Sequence, residues 1–268
     1  LDNYTNAIAL PPPTISRLRL EQVSLFTKLK NQAQGNPMGY PILQNISFEV
    51  NPSDRLVIVG APGAGKTSLL RLIHRLTEPN SGKIYLDDQD YSQIPVIQLR
   101  QQIASVQQEI RLLGMTVEEA LAYPLVLRGL SGQLIRDRIS YYREKLQIPD
   151  EWLTRTEVQL SSGQRQLVAI ARALVVEAKI LILDEPTSAL DTSTSAHLME
   201  ILTQICQTQS ITVLMVNHQI DLAQEFCTRL LYLQAGQVLV NQSSNQINWV
   251  SLKTELIKKA NQAVEEWS

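Results

Sequence analysis

Gly60-Ala61-Pro62-Gly63-Ala64-Gly65-Lys66-Thr67-Ser68 follows directly on the apolar run Leu56-Val57-Ile58-Val59. Gly60 and Gly65, with four residues between them and Lys-Thr following, suit the holding of phosphate. Glycines let the backbone turn tightly and bring N–H groups against phosphate oxygens. A helix opening at Lys66 would add the positive end of its dipole. Lys66 would reach the β- and γ-phosphates, and the Thr67 hydroxyl would ligand Mg²⁺. Far along the chain, Ile180-Leu181-Ile182-Leu183 ends in Asp184-Glu185. A buried strand there delivers two carboxylates at its C-terminal end, where parallel sheets bind ligands. Asp184 suits the Mg²⁺ shell, and Glu185 suits polarisation of an attacking water as general base. Alone, such a pair is equally a solvated turn. The phosphate loop makes the catalytic reading the stronger one.

These groups need strands that end at them and helices that start from them. Leu18 to Phe26, Ile42 to Val50, Arg55 to Val59, Lys83 to Leu86, Lys179 to Leu183, Ile211 to Val216, Arg229 to Leu233 and Gln237 to Val240 read as strands. Ser68 to Leu76 places Leu69, Leu72, Ile73 and Leu76 on one helical face. Residues 116–146 read as mostly helical, and Gln164 to Glu177, Ser193 to Thr208 and Ile220 to Phe226 as helices. Trp249, Leu252, Leu256, Ala260 and Val264 recur at helical spacing. That amphipathic helix is expected to pack on its own domain rather than dock a partner. Strands alternating with helices predict an α/β fold with a mainly parallel sheet. Residues 1–16, with the triplet Pro11 to Pro13, read as a flexible tail, and 28–41 as a surface loop.

Composition narrows the partners. The chain has 268 residues, is 44% hydrophobic and 19% charged, and carries a formal net charge of −2. That balance makes no electrostatic case for nucleic acid or an anionic membrane, so no nucleic acid is expected. No apolar run approaches the ~18 residues of a membrane span, and no signal peptide is expected. Cys206 and Cys227 read as buried free thiols of a reducing compartment. His74 reads as a boundary residue of its helix.

Leu160-Ser161-Ser162-Gly163-Gln164-Arg165-Gln166 stands upstream of the Asp-Glu strand. With it the chain resembles the ATP-binding subunit of ABC (ATP-binding cassette) transporters from about residue 18 to 240. The Walker A loop is Gly60 to Thr67, and the Q-loop lies in Val106-Gln107-Gln108. The signature is Leu160 to Gln164, and Walker B is Ile180 to Glu185. The D-loop is Ser188-Ala189-Leu190-Asp191, and the switch histidine is His218 after Val216-Asn217. The resemblance implies a P-loop NTPase of ABC ATPase type, with an antiparallel β subdomain and a helical signature subdomain at about 109–165. The cassette would span 17–243, and a C-terminal amphipathic helix 244–268. It implies ATP and Mg²⁺ as ligands. Two copies would form an ATP-dependent homodimer around two ATP molecules. Ser161, Gly163 and Gln164 would cradle the γ-phosphate of the ATP opposite, and Asp191 would run along the seam. Gln108 would sense Mg²⁺ and the attacking water, and His218 would touch the γ-phosphate and orient Glu185. Separate membrane-spanning permease subunits would be the partners, placing the chain on the cytoplasmic face of the membrane.

The sequence departs from that pattern in places. Ser162 stands where the family usually has glycine, and a small residue there should fit. The adenine-stacking aromatic usually stands near Thr27, so Tyr40 is favoured for that role over Phe26. Leu112-Leu113-Gly114-Met115 and residues 123–129 either line a groove for a permease helix or pack locally. No large C-terminal regulatory domain is expected. The stretch 121–164 is similar to small Fet iron-exporter-type ATPase subunits. A soluble ABC ATPase acting on ribosomes or DNA is the alternative; a single cassette without sustained heptads or a basic patch weighs against it. A phosphate-loop kinase for small molecules is opposed by the signature and His218.

Overall fold

The computed structural model describes residues 16–27 and 39–265, with side chains as far as Lys259. The expected N-terminal tail up to residue 15, and residues 28–38 of the expected surface loop, lie outside the described residues. Leu18–Phe26 (β1) and Pro41–Val50 (β2) alternate buried and exposed positions, as a half-covered sheet requires. They join Ser81–Leu86 (β4) and Gln89–Asp90 (β5) in an antiparallel sheet of order β2-β1-β4-β5.

The second sheet holds Arg55–Val59 (β3), Ile103–Val106 (β6), Ile180–Asp184 (β7), Thr212–Val216 (β8), Arg229–Gln234 (β9) and Gln237–Ser243 (β10). Its order is β10-β9-β3-β8-β7-β6, and every pair is parallel except β9 with β10. Continuous apolar runs such as Ile180 to Leu183 suit strands covered on both faces. Val57 and Val59 point into one hydrophobic cluster, and Leu56 and Ile58 into another. The same alternation runs through β7, β8 and β9, so the sheet separates two cores.

Lys66–Ile73 (α1) packs into the core shared with the antiparallel sheet. Val96–Gln102 (α2) leads into β6. Val117–Leu127 (α3), Gly132–Lys145 (α4), Ser162–Leu174 (α5) and Thr192–Gln209 (α6) supply the other core. Ile220–Phe226 (α7) and Trp249–Glu265 (α8) complete the chain. The stretch 116–146, expected to be mostly helical, holds two helices separated around Gly129 with φ +71°. α5 begins two residues before the expected start because Ser161 caps it. The reading from sequence had no counterpart for α2 or β6. In α2 only Leu99 is buried, so no apolar face marks it, and β6 is four residues long. α8 lays Trp249, Leu252 and Leu256 on the core, and its Glu255 accepts the Tyr232 hydroxyl at 3.2 Å.

Candidate active site at the carboxyl ends of four parallel strands

β3, β8, β7 and β6 run parallel and end at one sheet edge. From that edge issue the phosphate loop after Val59, His218 after β8, Glu185 after β7 and Gln108 after β6. Parallel register alone therefore gathers four segments distant in sequence at the place where such sheets bind ligands.

The loop from Gly60 through Ala61, Pro62, Gly63 and Ala64 to Gly65 leads into α1. Gly65 is the N-cap with φ +99°, and a Cβ there would stand 2.8 Å from Leu43 Cδ2, so glycine is required. No side chain caps α1, and its first turn holds no acidic residue, leaving the N–H groups around Lys66, Thr67 and Ser68 suited to an anion. Lys66 is buried, and its ammonium donates to Gly60 O at 2.7 Å and Ala61 O at 3.0 Å. Burial pushes its pKa down, opposed by the charges of Glu185 and Asp184.

The Thr67 hydroxyl donates to Asp184 Oδ2 at 3.2 Å. Burial raises the pKa of the Asp184 carboxyl, with the Thr67 bond opposing; Glu185 adds to the rise, while Lys66 and His218 counter it. A hydroxyl and a carboxylate are hard oxygen donors that fit Mg²⁺. They open on a cleft of about 350 Å³ that Gln107 and Gln108 also line. Among the described residues no cluster of three or more His, Cys, Asp or Glu is placed to hold a metal. A metal here would depend on Thr67, Asp184 and phosphate oxygens together.

Glu185 follows Asp184 with φ +53°, the left-handed region, and its N–H donates to Val216 O at 3.0 Å. Such strain in a non-glycine residue persists only where the surroundings impose it, as functional sites do. The turn brings its carboxylate to His218 Nε2 at 2.9 Å, while Gln108 Nε2 donates to its other oxygen at 3.2 Å. Asn217, which the sequence reading passed over, is buried and holds this arrangement. Its Oδ1 accepts the Gln219 N–H at 2.8 Å and its Nδ2 donates to Thr187 Oγ1 at 3.4 Å. An Asn just past a buried strand is the signal for that turn.

Ser161 and Gln164 lie at the start of α5, at the surface. Ser161 Oγ accepts the Gln164 N–H at 3.2 Å, and Gln164 Oε1 accepts the Ser161 N–H at 2.9 Å, a reciprocal capping box. A Cβ on Gly163 would stand 2.9 Å from Ala189 O, so the signature lies against the D-loop of its own chain. Asp191 caps α6, accepting from Thr194 N at 2.9 Å and Thr194 Oγ1 at 2.7 Å, and these bonds lower its pKa. Tyr40 is exposed, and Thr27 N–H donates to its carbonyl at 2.8 Å. Two residues on, Ile42 O lies 3.0 Å from the Cβ position of Gly65, so this segment runs beside the phosphate loop. His74 caps the C-terminus of α1 and meets Ser105 Oγ at 3.1 Å. Cys206 and Cys227 are buried free thiols. A second cleft, of about 760 Å³, is lined by Ile97, Leu113, Tyr123, Pro124, Leu127 and Arg128.

The family model described as ABC transporter matches residues 43–188, from β2 through Walker B and into the D-loop. The chain belongs to the ABC transporter family. This chain is 34% identical over 81% of its length to the methionine import ATP-binding protein MetN of Mannheimia succiniciproducens. It is 36% identical over 74% of its length to MetN 1 of Staphylococcus aureus strain N315. It spans 64% and 59% of those relatives' lengths. A dimeric structure of the ATP-binding cassette MJ0796, in a post-hydrolysis state with ADP and Pi, superposes with a TM-score of 0.76 at 28% identity. That match covers 86% of this chain and all of the other. CbiO1 from Clostridium perfringens, part of the ABC transporter complex cbiONQ, gives a TM-score of 0.74 at 26% identity, over 94% of this chain and 96% of its own. The fold is that of an ABC-type ATPase cassette. No helix among the described residues is long and apolar enough to cross a membrane.

Proposed function

We propose that the chain binds and hydrolyses ATP, dimerises around two ATP molecules, and powers transport through separate membrane-spanning subunits at the cytoplasmic face of a membrane. The observation that carries the reading is the convergence of Gln108 and His218 on Glu185, beside Lys66, Thr67 and Asp184. Lys66 would exchange its loop carbonyls for phosphate oxygens, and the loop and α1 N–H groups would hold the remainder. Thr67, Asp184 and Gln108 would hold Mg²⁺, which supplies charge neutralisation on the phosphates when bound. Glu185 would accept a proton from the attacking water, steadied by His218 and Gln108. Ser161, Gly163 and Gln164 of a second copy would close on the γ-phosphate, with Asp191 on the seam and Tyr40 under adenine. The Ser161 hydroxyl, already accepting from Gln164, keeps its proton to donate there.

The cleft beside Leu113, Tyr123 and Leu127 suits an amphipathic helix of the permease. Two cargo classes follow from likeness. The named relatives are methionine import ATP-binding proteins, and residues 121–164 are similar to small Fet iron-exporter-type ATPase subunits. The test is a tagged Glu185→Gln variant, purified with Mg-ATP from solubilised membranes of the native cell. A multi-span membrane protein should co-purify in stoichiometric amount, and its sequence decides the cargo class. Ribosomal or DNA-bound partners without a membrane protein would refute the transport reading, and normal ATP turnover by the variant would refute Glu185 as base.

A further inference from the structure

Three S/T-x-x-E/Q boxes stand in the helical part of the chain, at Thr116 with Glu119, Thr156 with Gln159, and Ser161 with Gln164. The middle one closes the 3-10 turn Glu157–Gln159, whose first residue is Glu157. Glu157 Oε2 accepts the Leu112 N–H at 2.7 Å, in the segment that carries Gln108. From α5, Arg172 donates to Arg111 O at 3.0 Å. Just beyond, the chain reverses through Leu113 and Gly114, with φ +59° and +75°. It then runs antiparallel to the stretch before the signature. Thr116 bridges Thr156, Val117 N–H donates to Arg155 O at 2.9 Å, and Glu118 N–H donates to Leu153 O at 3.0 Å.

The far arm of the Q-loop is thus fastened to the segment that leads into Ser161. Toward the sheet edge, Gln108 reaches Glu185 through one bond of 3.2 Å. A charge-assisted bond from a backbone N–H to a carboxylate is about twice as strong as a neutral one. We infer that Glu157 is a positioning residue, which with Arg172 ties the Q-loop to the signature helix so that Gln108 meets Glu185 only when that helix is seated. The inference rests on the reading of Glu185 as the base. It gives Glu157 a part in turnover without contact with nucleotide. Leu113 and Arg111, on either side of the fastened bond, both line the larger cleft, so a partner seated there would press directly on this tie.

The full-length chain is assayed for ATPase activity as wild type, Glu157→Ala, Glu157→Gln, Arg172→Met and Glu185→Gln. A nitroxide at Glu109→Cys reports Q-loop order, the two native thiols being buried. Glu157→Ala should lower kcat by about tenfold or more with KM for ATP unchanged, since a misplacement of about 1 Å near the chemistry costs roughly a hundredfold. The nitroxide should become more mobile. Glu157→Gln keeps an acceptor oxygen and should restore both kcat and nitroxide order. Arg172→Met should repeat the alanine phenotype, and it carries the test if Glu157→Ala does not fold. Wild-type kcat in the alanine and methionine variants, or a glutamine variant as impaired as alanine, would overturn the positioning role. If Glu185→Gln turns over normally, the base assignment falls and this inference with it. If Glu185→Gln is inactive and Glu157→Ala is not impaired, only the positioning role falls.

Discussion

Gly163→Ala separates what the signature does for stability from what it does for turnover. The residue lies in the first turn of α5, where alanine is favoured over glycine by about 1 kcal/mol in helix propensity. The added Cβ would stand 2.9 Å from Ala189 O and 3.6 Å from Leu190 Cδ2. Ordinary contact begins near 3.4 Å, so the D-loop backbone must give by about half an ångström. Overpacking of that kind costs about 1–3 kcal/mol. The opposing terms leave a net loss of about 1 kcal/mol, or about 2–4 °C in Tm for a domain of this size. Turnover should suffer more. A displacement of about 1 Å near the chemistry costs about a hundredfold, so half of that costs about tenfold in kcat. Differential scanning fluorimetry and steady-state ATPase assays on one preparation read both numbers. Wild-type kcat with a raised Tm would refute the reasoning, because helix propensity alone would then account for the variant.

Ser161→Arg should abolish ATP-dependent dimerisation in size-exclusion chromatography while the monomer still binds ATP. It also breaks the capping box, which costs about 1 kcal/mol and lowers Tm by about 2–4 °C; an ATP-dependent dimer of normal stability would count against the sandwich. Asp184→Asn should raise the nucleotide-free Tm at neutral pH and weaken Mg²⁺-dependent ATP binding. The Asp184 pKa is raised on folding, so the native state holds its proton longer than the unfolded chain does. The wild type therefore loses stability as pH rises from the ordinary carboxyl value of 3.8 through the raised one, and the asparagine variant lacks that loss. Equal pH profiles for the two proteins would refute the assignment.

Much of this was readable in the chain because apolar runs and chemistry coincide. Val59 meets Gly60 and Leu183 meets Asp184, so strand end and functional group are marked by the same boundary. β6 was not readable, since Ile-Ala-Ser-Val is too short to show a period. The placing of Gln108 opposite Glu185 depends on β6 pairing with β7, a contact between Ile103 and Ile180 that no local pattern encodes. The positive φ of Glu185 was equally hidden, because tertiary contacts impose it on a residue with no preference for it. Glu157 had a local signal, the Thr-x-x-Gln box that encloses it, but its target Leu112 lies 45 positions upstream. Gly163 is legible as a small residue, whereas the carbonyl of Ala189 that demands it is supplied by a separate loop.

The alternation of neighbouring strand residues between two cores has a consequence for how such a chain can change. Val57 and Ile58 are adjacent in sequence and belong to different compartments. α1, which carries Lys66 and Thr67, is bedded in one of them together with Leu99 of α2, and α3 and α5, which line the larger cleft, are bedded in the other. The sheet is a bulkhead between the bed of the phosphate-loop helix and the bed of α3 and α5. Repacking one side leaves the other side's fillings in place, so the cleft face of α3 can be refitted to a new partner without rebuilding the bed of the phosphate loop. What must stay matched is confined to the rim of the bulkhead, where the strands end and the two sides meet.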